Sequence, residues 1–147
     1  MIELFRRHGR LFFLPLCALL LLSGLLLPRW RVVGEEETIA SWYGSVFHGR
    51  ATASGKLYNM LELTAAHRLL PFGTRVRVVD LETEKAVIVT ITDRGPFQTD
   101  AEGKALLPLQ PHPTRNIDLS YRAAHRLGML ERGVAAVKLQ YLEPAFP

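Results

Sequence analysis

The chain has 147 residues, of which 48% are hydrophobic and one is cysteine, so it has room for one modest domain plus an appendage. Residues 1–34 carry five basic residues and one acidic residue, whereas residues 35–147 carry 13 of each sign, so the net charge of +4 belongs to the N-terminal segment. This distribution excludes a basic nucleic-acid surface on the folded part. The lack of cysteine in residues 35–147 excludes a disulfide framework and thiol chemistry there.

The N-terminal segment has the pattern of a targeting sequence. Three arginines between residues 6 and 10 precede an uncharged apolar run of 17 residues, Leu11 to Leu27. Such a pattern is typical of a secretory signal or a signal anchor, and its length is at the lower limit for crossing a bilayer. We therefore expect residues 1–34 to include a hydrophobic helix that exports residues 35–147 to the periplasm or cell envelope, with or without retention at the membrane. Leu16 precedes Cys17 where a lipid-anchored precursor has a small residue, which argues against a lipoprotein.

The start of the folded part is predicted to be extended. We interpret Gly34 to Glu37 as a short polar linker. Thr38 to Gly44 is rich in β-prone residues and ends at a glycine, which predicts a first strand. Residues 47–55 form a loop that presents His48 and Arg50. A loop of this kind is more often a connector, although a sugar-binding groove also uses aromatic and cationic side chains beside small hydroxyls.

Two alternating segments in the middle of the chain predict a hairpin. Thr74 to Leu81 alternates between apolar and polar residues, and so does the stretch 86–92, with a polar turn between them. The preceding stretch, Leu63 to Leu70, is predicted as a short helical or turn segment that Pro71 and Gly73 bring to an end.

The strand 86–92 runs directly into Asp93, Arg94, Gly95 and Pro96. Gly-Pro forces a turn, because proline cannot donate to a sheet and glycine adopts unusual dihedral angles. Asp93 and Arg94 are therefore expected at a strand end that opens to solvent. An isolated sequence of this kind is more often a turn that the aspartate caps, with the arginine paired to it.

The last third of the chain adds a loop, a helix and further strands. Residues 98–115 lack periodicity and predict a long loop. The stretch 116–120 is predicted to be extended, and Ser120 to cap a helix over 121–129. Alternation over 136–142 predicts the last strand. About six short strands with one helix predict a small, mostly β barrel.

Six short motifs occur in the order found in the rare lipoprotein A family, which this chain resembles over residues 38–142. The motifs are Ala40-Ser41-Trp42-Tyr43-Gly44, Phe47-His48-Gly49-Arg50, Thr64-Ala65-Ala66-His67, Leu70-Pro71-Phe72-Gly73, Asp93-Arg94-Gly95-Pro96-Phe97 and Ile117-Asp118-Leu119-Ser120. The resemblance implies a six-stranded double-psi β-barrel with one or two short helices, the fold of plant expansins and family-45 glycoside hydrolases. It also implies a substrate, the glycan strands of bacterial peptidoglycan.

Members of that family are lytic transglycosylases that prefer strands without peptides. Such an enzyme cleaves the bond between N-acetylmuramic acid and N-acetylglucosamine without adding water. A carboxylic acid protonates the departing oxygen, and the 6-hydroxyl of the sugar closes on C1 to give a 1,6-anhydro ring. One carboxyl group can serve first as acid and then as base, so the paired carboxylates of ordinary glycosidases are not required.

The resemblance and the chemistry together suggest roles for individual residues. Asp93 is the first choice for the acid and Asp118 the second, since a low-dielectric groove can keep either of them protonated. His67 would orient the acid or bind the sugar, although a lone histidine is more often structural. The predicted substrate-binding residues are Trp42, Tyr43 and Phe47, which would stack on sugar rings, and the polar His48, Arg50, Lys56 and Arg94. The set His48, His67 and Asp93 lacks short ligand spacing, so we predict no metal and no other cofactor.

The chain departs from the family at one loop. The family pattern Gly-Glu-x-Tyr-Asp is replaced here by Gly55-Lys56-Leu57-Tyr58-Asn59, so two acids are lost, among them a glutamate for which the resemblance implies a catalytic role. A cation at position 56 would hold a nearby aspartate ionised, the wrong state for a general acid. The loop 98–115 is also longer than its counterpart in the family, which would let it cover the groove or dock a cell-division or envelope protein.

Two hypotheses follow from these residues. Asp93, His67 and Asp118 favour an envelope enzyme, a lytic transglycosylase. Lys56 and Asn59 favour an expansin-like module that binds or loosens the wall without cutting it.

Overall fold

The computed structural model describes residues 29–145, which form six strands and one α-helix. The elements are β1 (Arg29–Tyr43), a 3-10 turn (Ser45–Phe47), β2 (Thr64–His67), β3 (Arg75–Asp80), β4 (Ala86–Asp93), β5 (Arg115–Ser120), α1 (Tyr121–Leu127) and β6 (Ala135–Ala145). The predicted mostly β class is confirmed. The predicted N-terminal hydrophobic helix and Cys17 lie outside the described residues. Within 29–145, no helix is long and apolar enough to cross a membrane.

The six strands close into a barrel. Its order is β1-β5-β2-β4-β3-β6, and β6 pairs again with β1. The β1–β5 and β2–β4 pairs are parallel, whereas the other four pairs are antiparallel. The fold is therefore a barrel of the double-psi type, and its closure satisfies the strand edges that an open sheet would expose.

The strands point one face into the barrel core. The inward residues Val76 and Val78 of β3, and Val89 and Ile91 of β4, are at most 1% exposed. Each such side chain contributes roughly 1.5–3 kcal/mol through burial. The predicted hairpin is confirmed as the antiparallel β3–β4 pair.

The predicted polar linker is wrong, because Gly34 to Glu37 lie within β1. These residues pair with Tyr141 to Lys138 of β6, and Glu37 lies directly opposite Lys138, with 3.6 Å between its Oε1 and Nζ. Glutamate is depleted in strands, but this cross-strand charge pair and the hydrogen bonds of the long β6 outweigh the weak local preference.

The predicted helical or turn segment over Leu63–Leu70 is also wrong, because its centre is β2. The small residues Ala65 and Ala66 suit a helix by propensity. Here they form the middle of a four-residue strand that is buried throughout and pairs with β4 on one side and β5 on the other. Packing on both sides decides the conformation.

The predicted helix is confirmed, with Ser120 as its N-cap, although it ends at Leu127 and not at residue 129. The Ser120 hydroxyl accepts a hydrogen bond of 3.2 Å from the amide of Ala123 at the N-terminus. Gly128 follows the helix with φ of 76°, a left-handed conformation that glycine adopts without strain. Ala124 and Leu127 of α1 are buried against the barrel.

Candidate active site

A cleft of about 230 Å³ lies over the outer face of the barrel and contains two carboxylates. Ala66 of β2 pairs with Asp93 of β4 on one side and with Asp118 of β5 on the other. The two aspartates are therefore two strands apart, roughly 10 Å between their Cα atoms. The small side chain of Ala66 leaves the space between them open. The cleft is lined by Tyr43, Phe47, Arg50, Ala51, Thr52, Tyr58, Ala66, Asp93, Arg94 and Asp118.

Asp118 sits in a network that joins β1 to β5. The hydroxyl of Ser41 donates to Asp118 Oδ1, and Arg115 Nη1 donates to the Ser41 oxygen at 2.7 Å. Arg115 Nη1 lies 3.9 Å from Asp118 Oδ1. Burial raises the pKa of Asp118 above its usual value and outweighs the hydrogen bond from Ser41 and the charge of Arg115, while the nearby Asp93 raises it further. Sequence reasoning assigned no role to Ser41 or Arg115.

Asp93 is held by the backbone of two segments. Its Oδ1 accepts hydrogen bonds from the amide of Arg94 at 2.8 Å and from the amide of Ala53 at 2.9 Å. Gly95 follows with φ of 138°, a value that only glycine adopts readily. Asp93 thus caps the turn, as predicted for an isolated sequence of this kind, and it also lines the cleft.

Arg94 borders the cleft with its guanidinium engaged elsewhere. Its Nη1 donates to the carbonyl oxygens of His67 at 3.1 Å and Leu70 at 2.9 Å, and the guanidinium lies 3.8 Å from the centre of the Phe72 ring. The guanidinium therefore fixes the turn that follows β2, and only the backbone amide of Arg94 contacts Asp93.

Aromatic side chains form one wall of the cleft. The rings of Tyr43 and Tyr58 lie 4.5 Å apart, and Phe47 stands edge-on to Tyr43 at 6.1 Å. The guanidinium of Arg50 lies 5.5 Å from the Phe47 ring centre. Burial and then the neighbouring Tyr58 and Asp93 raise the pKa of Tyr43, so this hydroxyl keeps its proton. Tyr58 was not predicted for the site, although it stands in the Gly55–Asn59 motif.

His67 lies on the other side of β2 from the cleft. It shares the inward face with Ile117, which is opposite it on β5. Its Nδ1 accepts hydrogen bonds from the amides of Leu69 at 3.1 Å and Leu70 at 3.0 Å, and its Nε2 lies 3.6 Å from Glu36 Oε1. Burial lowers the pKa of this 6% exposed histidine, although Glu36 acts in the opposite direction. The imidazole is thus placed to position the turn after β2.

Three other predicted residues lie away from the cleft lining. Trp42 packs against the core, with its ring edge-on to Tyr121 at 5.9 Å. His48 is exposed, and its Nδ1 accepts a hydrogen bond of 3.2 Å from the amide of Met60. Lys56 lines a neighbouring pocket. Among residues 29–145, no group of three His, Cys, Asp or Glu side chains is placed to hold a metal ion.

The closed six-stranded barrel and its acidic, aromatic cleft define a double-psi β-barrel protein. Residues 35–139 match the family model described as lytic transglycolase, and the chain belongs to that family. The resemblance to rare lipoprotein A is thereby confirmed.

The relatives are longer proteins. The chain is 44% identical over 115 residues to the endolytic peptidoglycan transglycosylase RlpA of Pseudomonas aeruginosa, covering 78% of this chain and 28% of that one. It is 39% identical over 107 residues to the RlpA of Vibrio cholerae (73% and 35%). It is 47% identical over 105 residues to a probable RlpA of Synechocystis (71% and 28%). The chain therefore spans about a third or less of the length of these relatives.

Two solved structures share the fold at low sequence identity. The Streptomyces papain inhibitor superposes with a TM-score of 0.52 at 17% identity, covering 76% of this chain and 97% of the inhibitor. The apo expansin of Clavibacter michiganensis superposes with a TM-score of 0.52 at 18% identity, covering 78% of this chain and 54% of the expansin. These likenesses support the barrel fold alone.

Proposed function

We propose that this chain is an endolytic lytic transglycosylase that cleaves peptidoglycan glycan strands between N-acetylmuramic acid and N-acetylglucosamine. The observation that carries the proposal is the pair Asp93 and Asp118, which flank Ala66 in one cleft. Three relatives at 39–47% identity carry the name endolytic or probable endolytic peptidoglycan transglycosylase, which supports the substrate and the reaction type.

Asp118 is best suited to protonate the departing oxygen. Its pKa is raised by burial, so its neutral form persists to higher pH than that of an exposed aspartate. Because Ser41 donates its proton to Oδ1, the acidic proton of a neutral Asp118 belongs on Oδ2. That proton moves to the glycosidic oxygen as the bond from this oxygen to C1 of N-acetylmuramic acid breaks. This assignment reverses the predicted order of preference, in which Asp93 came before Asp118.

Asp93 completes the reaction in this proposal. The two backbone amides hold its Oδ1 in place, so the carboxylate has a fixed position across the cleft from Asp118. Its negative charge stabilises the oxocarbenium-like C1. The 6-hydroxyl of the same sugar then attacks C1 and closes the 1,6-anhydro ring. Its proton goes to Asp118, which is thereby ready for the next cycle.

The aromatic wall gives the cleft a surface for sugar rings. Tyr43 and Phe47 present ring surface, the 4% exposed Tyr58 packs against Tyr43 and supports it, and Arg50 adds donors for hydroxyl groups beside Phe47. Trp42 packs inward and has no place in this surface. His67 and Arg94 act on the substrate only indirectly, through the turn after β2.

A glycan-binding module without catalysis is the second candidate, because Lys56 and Asn59 replace the two acids of the family loop. Lys56 lines a pocket next to the cleft and not the cleft itself, so its ammonium does not sit between the two aspartates. This placement favours the enzyme over the module.

The proposed substrate locates the protein in the cell envelope. The basic and apolar residues 6–27 would export it or hold it at the membrane. The long loop between β4 and β5 carries the exposed Leu107 and Leu109, and we propose it as the contact for an envelope or cell-division protein.

The test is mass spectrometry of the products that the full-length chain, in mild detergent, releases from peptide-stripped glycan strands. We expect sugars that end in 1,6-anhydro-N-acetylmuramic acid, abolished by Asp118→Asn and retained by the exposed control Glu131→Gln. Reducing ends would instead indicate hydrolysis. Binding without any release would support the module.

A further inference from the structure

A second pocket, of about 300 Å³, lies beside the cleft. It is lined mainly by polar side chains, and Tyr58 borders both spaces: the residues are Lys56, Leu57, Tyr58, Asn59, Glu62, Thr64 and Thr92. The two substituted positions of the family loop, 56 and 59, therefore both lie in this pocket, on the far side of Tyr58 from Asp118.

The backbone of the pocket is preorganised. The carbonyl oxygen of Lys56 accepts hydrogen bonds of 2.8 Å from both the amide and the hydroxyl of Thr52. The carbonyl oxygen of Glu62 accepts a 2.6 Å hydrogen bond from the buried hydroxyl of Ser120, which also caps α1. Hydrogen bonds thus hold the backbone of Lys56 and Glu62, the two charged residues of the pocket, in place.

Thr64 supplies a buried hydroxyl to the pocket. The residue is only 9% exposed, and its Oγ1 lies beside the hydroxyl of Tyr43, where a hydrogen bond from Thr64 partly offsets the raised pKa of Tyr43. Neither hydroxyl has a further hydrogen-bond partner among residues 29–145. A hydroxyl can both donate and accept, so Thr64 retains bonding capacity for a ligand group that enters the pocket.

The pocket carries both signs of charge. Lys56 is exposed and forms no ion pair with any residue in 29–145. Glu62 also lines the pocket, and its Oε1 accepts a hydrogen bond of 3.3 Å from Asn59 Nδ2. The site therefore offers an ammonium, a carboxylate that is already oriented, and the hydroxyls of Thr64 and Thr92.

We propose that this pocket is a subsite for an N-acetylmuramic acid residue, whose lactyl carboxylate binds the Lys56 ammonium. The inference rests on the proposed function, since it assumes that a glycan strand occupies the neighbouring cleft. The other groups of that sugar match the remaining side chains: its acetamido N–H can donate to Glu62, and a hydroxyl can bond to Thr64. N-acetylglucosamine has no carboxylate and leaves Lys56 without a partner.

The subsite predicts an additional discrimination against strands that carry stem peptides, through a contact that the family glutamate at this position could not make. In a strand that carries a stem peptide, the lactyl carboxyl is part of an amide bond and has lost its charge. The contact between the carboxylate and Lys56 is then lost, and the stem peptide must also occupy the space of the Lys56 ammonium group. Replacing the family glutamate by lysine would thus change which sugar is recognised at this position.

The test is calorimetric titration of the full-length chain in the inactive Asp118→Asn background. The two probes are a peptide-free alternating oligosaccharide of peptidoglycan and a chito-oligosaccharide of equal length, which has no lactyl group. We expect Lys56→Gln to weaken binding of the first about tenfold, the loss of one charge-assisted hydrogen bond, and to leave the second unchanged. Lys85→Gln, on the β3–β4 turn, is the matched control and should leave both affinities unchanged.

A second variant tests the pocket without removing a charge. Thr64→Val keeps the shape of the side chain and removes only its hydroxyl, so the variant should stay folded and weaken binding of the peptidoglycan oligosaccharide. Equal binding of that oligosaccharide by the parent protein and Lys56→Gln would overturn the subsite. Carboxylate-dependent binding in a wild-type chain that releases no anhydro product would keep the subsite and refute the transglycosylase. Failure to bind either glycan would refute both.

Discussion

Arg94 donates a 3.1 Å hydrogen bond from its guanidinium to the carbonyl oxygen of His67, and so ties the end of β4 to the end of β2. The same Nη1 reaches the carbonyl oxygen of Leu70 at 2.9 Å. The Nδ1 atom of His67 accepts hydrogen bonds from the amides of Leu69 and Leu70, which belong to the turn. The turn after β2 is thus held by its own histidine and by the arginine adjacent to Asp93, which links the barrel interior to the cleft.

Arg94→Lys is expected to destabilise this turn although it keeps the charge. Lysine cannot reproduce a planar guanidinium that bonds two carbonyl oxygens and stacks on Phe72 at 3.8 Å. We expect a loss of about 1–2 kcal/mol in the free energy of unfolding, measured by urea denaturation. If Arg94 instead binds substrate directly, the lysine variant will keep its stability and lose only glycan affinity.

His67 is expected to make the protein less stable in acid. Its folded pKa is lowered from 6.5, so the unfolded chain binds the proton more readily, and stability present above pH 6.5 declines as the pH falls through the folded pKa. His67→Asn keeps an acceptor near the Nδ1 position and should flatten this decline between pH 7.5 and 5.5. His67→Ala leaves two amides without their acceptor and should cost about 1–2 kcal/mol at pH 7.5. Urea melts at both pH values measure these changes; an unchanged slope in His67→Asn would show that the pH dependence does not come from this histidine.

Asp118→Asn is expected to lower the activity of the protein and to raise its stability at pH 7. Removing a general acid should reduce glycan cleavage by about 10²–10⁴-fold. Because burial raises the folded pKa of Asp118 above 3.8, its contribution to stability is fully present below that value and is lost as the pH rises through the folded pKa. The amide variant should therefore melt higher than the wild type at pH 7 and lose this advantage near pH 3.5, as differential scanning fluorimetry can show. A lower melting temperature at pH 7 would contradict the assigned pKa direction.

Asp80 and Arg132 form an ion pair that we expect to stabilise the fold. The Asp80 side chain is 0% exposed, and its carboxylate accepts hydrogen bonds from Arg132 and from the amides of Glu82 at 2.9 Å and Thr83 at 3.0 Å. Arg132→Met leaves the buried carboxylate without its cationic partner and should lower the free energy of unfolding measured by chemical denaturation. Glycan binding by the fraction that remains folded should be unchanged, because the pair lies outside the cleft lining. A combined Asp80→Asn and Arg132→Met variant should recover part of the loss.

The fold was largely predictable from local patterns, because the alternation of β3, β4 and β6 and the caps of α1 are written in neighbouring residues. β2 was not, because its four residues are too few for a period and its conformation depends on two partners distant in sequence. The glutamates of β1 led to the wrong prediction of a linker for the same reason. Their extended conformation depends on pairing with β6, which is distant in sequence.

The candidate site was predictable in part. Asp93 and Asp118 both line the cleft, but their arrangement on either side of Ala66 depends on the non-local pairing of β2. Adjacent strand residues face opposite sides, so Trp42 and Tyr43 cannot both line the cleft. The same alternation places Ala66 in the cleft and His67 on the opposite face of β2. This difference could have been predicted from the order of residues in the motif.

The pairing of β1 with β6 also determines when the protein can fold. The barrel is closed by a strand near residue 30 and a strand near residue 140, joined over most of their length. Loop closure on this scale is slow, so the chain must wait for β6 before the core is complete. The barrel of a newly made chain therefore remains unfolded until β6 has been synthesised, and an unfolded polypeptide is the form that can pass through a narrow channel.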